Sequence, residues 1–312
     1  MIIDWREADH NQILDLWNRF HPERYKIDAD ILRINTVDAD TFDWGASLVD
    51  VDFDGDIRAF ISIKKAPAKH HKVGDPDAVH LSAIAFTDAT HAIDLMSDAK
   101  KTLRQRGVTS ILFGMDSRHF WPGVPTDVPQ LNNFLTIEGF DLSGEYFDVE
   151  RDLLSYQPPR PIPTEQVEFR VLTEDDARSL EKFFVREFPG RWRYDMMWKI
   201  EREGGFSGLV GLFYKGEVHG FASIQDSSTK FPIGGAVWRS DLGEHWGALG
   251  PIGVSQQVRG EGWGGALLAA GLLELKSRGT QKCIIDWTTL DEFYGKHGLE
   301  KSRIYRSAKL AI

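Results

Sequence analysis

The sequence predicts a mixed α/β protein of two tandem domains, each a twisted, mostly antiparallel mixed sheet flanked by helices. Three observations carry this: the chain repeats its own landmarks, a proline-rich stretch separates the repeats, and helical and strand periodicities intersperse within each half. Asp54-Gly55-Asp56-Ile57-Arg58-Ala59-Phe60-Ile61-Ser62-Ile63 matches Lys215-Gly216-Glu217-Val218-His219-Gly220-Phe221-Ala222-Ser223-Ile224, each a hairpin turn followed by an alternating strand. Phe20-His21-Pro22-Glu23-Arg24-Tyr25 echoes Phe188-Pro189-Gly190-Arg191-Trp192 with one gap, and Leu103–Gly107 with Ile111–Phe113 echoes Leu275–Gly279 with Cys283–Ile285. Phe134–Phe140 matches Phe293–Leu299. Landmarks in one order at offsets of roughly 160 to 170 describe a duplication. Pro158, Pro159, Pro161 and Pro163 stiffen the stretch between the copies. The expected division is 1–155, a linker at 156–163, and 164–312.

Within the second copy a strand over 168–172 leads into a helix over 174–188, where Asp175 and Asp176 in the first turn suit the helix dipole. A second helix is expected over 194–202, and a hairpin over 209–214 and 218–224 about Lys215-Gly216. A glycine-broken strand over 247–254 follows. The run 262–278 places Trp263, Ala266, Leu267, Leu268, Ala270, Leu272 and Leu273 on a broad apolar stripe of helical period, and Gly279 suits the position after its end. A strand over 283–287 and a short helix over 290–297 precede the closing strands.

Composition narrows the function classes. Of 312 residues, 42% are hydrophobic and 27% charged, as in an ordinary globular protein. No apolar run reaches the roughly 20 residues that cross a bilayer, so no membrane partner is expected. The start, Met1-Ile2-Ile3-Asp4-Trp5-Arg6, lacks a basic region and a long apolar core, which predicts a cytoplasmic protein. A formal charge of −10 repels polyanions and argues against nucleic acid. The single cysteine, Cys283, excludes an internal disulfide and any multi-cysteine metal site, and its apolar neighbours predict a buried residue. No metal is expected, and a monomer or homodimer is.

The most informative stretch is Arg259-Gly260-Glu261-Gly262-Trp263-Gly264, between a strand and a helix. Free N–H groups at a helix start, unobstructed by side chains, bind anions, a pyrophosphate above all. The same glycines would also serve close packing. A P-loop would need Gly-Lys-Ser/Thr at its end, and none is present. The dinucleotide fingerprint Gly-x-Gly-x-x-Gly is not matched either, because the spacing is Gly260-x-Gly262-x-Gly264-Gly265.

With Arg259, Gly262 and Gly264 in an Arg/Gln-x-x-Gly-x-Gly/Ala pattern, and Phe293-Tyr294-Gly295-Lys296-His297-Gly298-Leu299 about 30 residues on, residues 165–312 resemble the GCN5-related N-acetyltransferase (GNAT) superfamily. The resemblance implies acetyl-CoA as co-substrate, its pyrophosphate on the amides of Arg259, Gly260, Glu261, Gly262, Trp263 and Gly264, and its pantetheine along Ile252, Gly253 and Val254. Gly250-Pro251 would supply the bulge that splays the fourth and fifth strands. Tyr294 would be the general acid toward the leaving thiolate. The base is open among Asp286, Asp226 and Glu244-His245, with a water relay as a further option. Trp192 and Arg193 border the acceptor side in the resembling fold, or serve helix packing with a snorkelling arginine.

The implied function is transfer of an acetyl group to a primary amine of a small molecule by direct attack. Two readings stand beside it: a non-catalytic acyl-CoA-binding protein, and a tandem aminoacyl- or thiol-ligating transferase. The first copy reads Ala85-Phe86-Thr87-Asp88-Ala89-Thr90-His91 where the glycine hexapeptide should stand, and Leu135 where the tyrosine should. It is expected to be a degenerate copy without coenzyme binding, in which Trp121, Pro122 and Gly123 cap a core or form a binding surface. Asp50-Val51-Asp52-Phe53-Asp54-Gly55 imitates the start of an EF-hand loop, but Ile61 stands where the bidentate glutamate belongs, and alternation predicts a hairpin. His70-His71 sits in a polar loop without other ligand spacing and is expected to be solvated.

Overall fold

The structure is a computed structural model that describes residues 1–66 and 78–312. In chain order the elements are β1 (Ile2–Asp4), α1 (His10–Phe20), α2 (Ala29–Asn35), β2 (Leu48–Val51), β3 (Ile57–Lys65), β4 (Ala78–Phe86), α3 (Ala89–Gln105), β5 (Ser110–Phe113), β6 (Val124–Pro125), α4 (Pro129–Ile137) and β7 (Asp141–Asp152). After the linker come β8 (Val167–Val171), α5 (Ala177–Glu187), α6 (Arg191–Glu203), β9 (Leu209–Tyr214), β10 (Glu217–Asp226), α7 (Arg239–Leu242), β11 (Trp246–Val254), α8 (Trp263–Ser277), β12 (Lys282–Thr288), α9 (Asp291–Gly295) and β13 (Glu300–Ala311).

Two compact units result. The first holds the described residues up to Tyr146 together with Arg303–Ile312, and the second holds Phe147–Ser302. The first unit's strands run β1-β2-β3-β4-β5-β13, antiparallel except for the β4/β5 pair. The second unit's run β7-β12-β11-β10-β9-β8, antiparallel except for β11/β12. One parallel pair at the same place in each sheet is what the repeated sequence requires. The expected mixed, mostly antiparallel fold is therefore present in both copies.

The unit boundaries differ from the sequence division in two places. β13, at the end of the second repeat, completes the first unit's sheet by pairing with β5, and β7 from Phe147 onward pairs with β12. An alternating strand reads alike whichever sheet it joins, so pairing partners are silent in sequence. The linker also starts later than expected, because Tyr156 is buried to 1% exposure in the second unit's core.

The second unit's sheet is covered on both faces. Leu267, Leu268, Leu272 and Leu275 of α8 pack on Ala222, Ile224 and Leu249. Leu180, Phe183 and Phe184 of α5 and Met196 of α6 pack on Leu209, Phe213 and Phe221. Burial of each such side chain stabilises by about 1.5–3 kcal/mol. Gly271 brings α8 close to the sheet, since a Cβ there would stand 2.6 Å from Leu249 Cδ1. The helix pair α5–α6 begins with a capping box at Thr173 and Asp176, whose carboxylate also accepts from Arg170 at 2.7 and 2.9 Å. α6 starts at Arg191, three residues before the expected start, with Gly190 as its cap.

The hairpin expectation for Asp50–Gly55 holds. Asp52 accepts from the amides of Asp54 and Asp56, and Asp50 is taken up by Arg58 at 2.9 Å. His70-His71 lies outside the described residues.

Candidate active site in the second repeat

β11 and β12 run side by side for only three residue pairs, Trp246–Ala248 against Lys282–Ile284. Beyond them β11 stays bonded to β10 alone, with its register shifted between Ala222 and Ile224. The irregularity falls opposite Gly250-Pro251, where the peptide is cis and Gly250 has φ +142°. Residues Gly250–Val254 are half-buried, whereas Trp246–Leu249 are buried. The strands thus part into a slot, with an unpaired β11 edge along one wall.

The slot leads to the glycine hexapeptide. Gly260 (φ +91°) and Gly262 (φ +79°) take left-handed conformations that the other residues reach only with strain, and Gly262 is the N-cap of α8. No side chain caps this helix. The first intrahelical bond runs from Ala266 N–H to the Gly262 carbonyl, which leaves the amides of Trp263, Gly264 and Gly265 without helical partners. A Cβ built at Gly260, Gly262 or Gly264 meets nothing within 4 Å. Open space around three free donors fits a pyrophosphate. The turn ahead of the loop is anchored: Glu187 accepts from Gln256 N–H at 3.0 Å, and His219 Nδ1 meets Ser255 Oγ at 3.0 Å. Arg259 and Glu261 are exposed, and Trp263 packs its ring 5.3 Å from Tyr214.

At the parting of the strands stand Tyr294 and Asp286. Tyr294, on α9, is buried to 5% exposure. Burial raises its phenol well above the ordinary range, the Asp286 charge adds to the rise, and a hydrogen bond with Thr288 opposes it. The hydroxyl therefore keeps its proton at neutral pH. Asp286 lies on the wall opposite Gly250: a Cβ on Gly250 would be 3.5 Å from its Oδ1, and one on Gly234 3.2 Å from both carboxylate oxygens. The next residue, Trp287, is held at φ +52°, where β12 bulges against β7 between Ile285 and Thr288. Its amide donates to Asp148 at 3.0 Å, and the Arg191 guanidinium lies 4.4 Å over its ring. A bulky residue in that conformation costs about 1–3 kcal/mol and is found where surrounding structure holds a site in shape.

The remaining sequence-derived candidates fall elsewhere. Asp226 is 7% exposed and closes a turn: its Oδ1 accepts from Ser228 N–H at 2.9 Å and Ser228 Oγ at 2.6 Å, while Arg278 lies 3.4 Å from Oδ2. Burial would raise its carboxyl, but these bonds outweigh burial and hold it low. It pairs with Gly247, at the end of β11 away from the loop. Glu244 and His245 are exposed just ahead of β11, and the His245 carbonyl accepts from Gln281 at 2.8 Å. Arg193 reaches back to Glu181, tying α6 to α5. Trp192 lies 4.8 Å from Phe188, and both rings press on Gly253, where a Cβ would meet Phe188 at 2.6 Å and Trp192 at 3.1 Å. Gly253 is thus required by the aromatic pair on the α5–α6 face. Ile252 and Val254 point to the α8 face.

Sequence reasoning did not single out Trp287, Arg191 or the Gly234-Gly235 turn. Only the glycine pair left a trace in sequence, since φ +59° at Gly234 and a Cβ at Gly235 2.9 Å from Ile284 exclude larger residues.

The first repeat has the same framework with the slot closed. β4 and β5 stay paired one residue further, through Leu81 and Phe113, and Gly114 N–H then bonds the Leu81 carbonyl at 2.9 Å. All nine residues of β4 are buried. Met115 (φ +62°) occupies the position of Trp287, each five residues after the strand's first paired residue. Here the following loop folds back: Met115 N–H bonds the Trp121 carbonyl at 2.8 Å, and the buried Trp121 ring packs among Trp17, His21 and Tyr25. Trp121 is thus core. α3 is capped by its own Asp88, which accepts from Thr90 N–H at 2.8 Å and Thr90 Oγ1 at 2.6 Å. A fixed carboxylate fills the anion position that α8 leaves open.

Comparison with known proteins finds a family model and a fold for this chain. The acetyltransferase (GNAT) family model matches residues 177–299. No curated protein sequence matches the chain. Among solved structures, a GCN5-related glucosamine N-acetyltransferase region of a fungal multi-domain GH3 β-N-acetylglucosaminidase is similar over 99% of this chain, with TM-score 0.82 and 21% identity. This chain spans 38% of that protein's length. A tandem GNAT protein from the clavulanic acid biosynthesis pathway is similar over 100% of this chain and 98% of its own (TM-score 0.69, 14% identity). A GCN5-related N-acetyltransferase from Sphaerobacter thermophilus covers 99% and 95% (TM-score 0.65, 14% identity). At these identities the likeness concerns the fold. The GNAT family model covers residues 177–299 of the second repeat, and the chain as a whole has the tandem GNAT fold.

Proposed function

We propose that this chain is an acetyl-CoA-dependent N-acetyltransferase with one active site, in the second repeat, acting on a primary amine of a small molecule. The observation that carries the reading is the continuity of the uncapped α8 start, the β11/β12 slot and the Tyr294–Asp286 pair, present once among the described residues. Acetyl-CoA would supply the acyl group as a thioester. The amides of Trp263, Gly264 and Gly265 would hold the pyrophosphate, and the unpaired β11 edge beyond Ala248 would align the pantetheine. Asp286 would take the proton from the attacking amine. Tyr294, protonated at neutral pH, would give its phenolic proton to the leaving thiolate, so charge does not build on sulfur. Asp226 is assigned to its turn and has no part in transfer.

An amino sugar is the acceptor to test first. One similar structure is a glucosamine N-acetyltransferase region, and here the Asp286 carboxylate stands at the slot, an anion that suits a protonated sugar amine. The test is acetyl transfer from acetyl-CoA across amino sugars, polyamines and amino acids, with Tyr294→Phe alongside. Turnover that Tyr294→Phe lowers supports the reading. Coenzyme binding without turnover of any amine would favour a non-catalytic acyl-CoA-binding protein.

A further inference from the structure

His297 lies two residues beyond α9 and is 6% exposed. Its Nδ1 meets the Tyr156 hydroxyl at 2.9 Å. Tyr156 is 1% exposed, and its hydroxyl has no other hydrogen-bond partner among the described residues. A buried O–H without an acceptor is costly, so the phenol donates and Nδ1 accepts. Burial raises the Tyr156 phenol to about 12, and burial together with the nearby Arg151 charge lowers the imidazole, so both groups are neutral at pH 7. The neutral ring then carries its proton on Nε2.

That nitrogen lies beside the first turn of α8. A Cβ built on Gly265 would lie 3.5 Å from Nε2, and among the described residues Nε2 has no hydrogen-bond partner. The ring therefore sets a donor beside Gly265, in the helix turn whose amides at Trp263, Gly264 and Gly265 have no helical partner. Donors gathered at one place with no acceptor among the described residues are satisfied by an acceptor from outside the chain. Arg151 holds the arrangement, with its guanidinium 4.6 Å over the Tyr156 ring and a hydrogen bond to the His297 carbonyl.

We propose that His297 donates a hydrogen bond from Nε2 to a phosphate oxygen of the coenzyme at the start of α8, and that Tyr156 is the positioning residue that fixes its tautomer. The inference rests on the coenzyme reading above and adds a binding residue to it. Calorimetric titration of the full chain with coenzyme A and with 3′-dephospho-coenzyme A tests it. His297→Leu should weaken coenzyme A binding roughly tenfold, while His297→Gln, which keeps an N–H donor, should recover most of the affinity. A loss seen with both ligands assigns the bond to the pyrophosphate, and a loss seen with coenzyme A alone assigns it to the 3′-phosphate. Tyr156→Phe should weaken binding by a smaller factor. Nitrogen-15 NMR of the histidine rings should find the Nε2–H tautomer in the free protein, with that proton shifting on addition of coenzyme A. Unchanged affinity in His297→Leu, equal losses in the Leu and Gln variants, or an Nδ1–H tautomer would each overturn the proposal. If wild-type chain binds no coenzyme A, the parent reading fails and this inference with it.

Discussion

A carboxylate at Gly264 would set two effects of one charge against each other. Gly264 occupies the first turn of α8, a Cβ there meets nothing within 4 Å, and its φ is not in the left-handed region. Gly264→Asp therefore costs no strain or clash. An acid in the first turn of an uncapped helix stabilises by about 0.3–1 kcal/mol, and replacing glycine within a helix adds a few tenths. The folded chain should melt at the same temperature or up to about 4 °C higher. For a bound phosphate the sign reverses. With the new charge about 5 Å from a phosphate and an effective dielectric constant of about 20, each unit of anionic charge costs about 3 kcal/mol, or more than a hundredfold in affinity. The assay is a thermal melt of the free protein paired with calorimetric titration of coenzyme A. Raised or unchanged stability with abolished binding is expected. Retained binding would place the anion elsewhere, and lost stability would mean that the glycine serves packing.

Four further outcomes follow from named contacts. Tyr294→Phe should lower kcat by about a hundredfold and leave coenzyme A affinity unchanged, as steady-state kinetics and titration would measure. Asp286→Asn should reduce kcat comparably and, by removing the charge that adds to the Tyr294 rise, shift any alkaline limb of the rate profile to lower pH. Lys64→Met should strip the partner from Asp116, which it meets at 2.6 Å with both groups buried. The cost is about 3–5 kcal/mol of stability, read by denaturant unfolding, with coenzyme affinity unaffected. His21, fully buried against the Ile84 carbonyl, is pushed down to about 3. The unfolded chain binds its proton near 6.5, so this contribution is whole above 6.5 and lost as pH falls toward 3. It amounts to about 2 kcal/mol less stability at pH 5 than at pH 7, a difference that His21→Phe should shrink.

The sequence carried the fold class because the duplication repeats hairpins, strand alternation and helix periods that each depend on neighbours in the chain. The hexapeptide was legible for the same reason: Gly260 and Gly262 announce left-handed backbone, and the bare helix start follows from them. What involves partners across the fold was not legible. Trp287 reads as an ordinary strand aromatic, and only the bulge against β7 shows it held at φ +52° beside Asp286. Asp226, a carboxylate ending a strand, looks the same in sequence as Asp286, and their difference lies in Ser228 and Arg278. The pairing of Arg193 with Glu181, twelve residues earlier, leaves no trace in sequence either. The closure of the first repeat was half visible, in Asp88 and the missing glycines. The folding back of Trp121 onto Met115 was not.

On the proposed function a twice-built framework holds one coenzyme site. Titrating the intact chain with acetyl-CoA counts the sites, and amide hydrogen exchange of the same complex locates them. One equivalent per chain is expected, with protection gained at Trp263–Ala266 and none at Ala89–Ala92. Two equivalents, or protection centred on the start of α3, would contradict it.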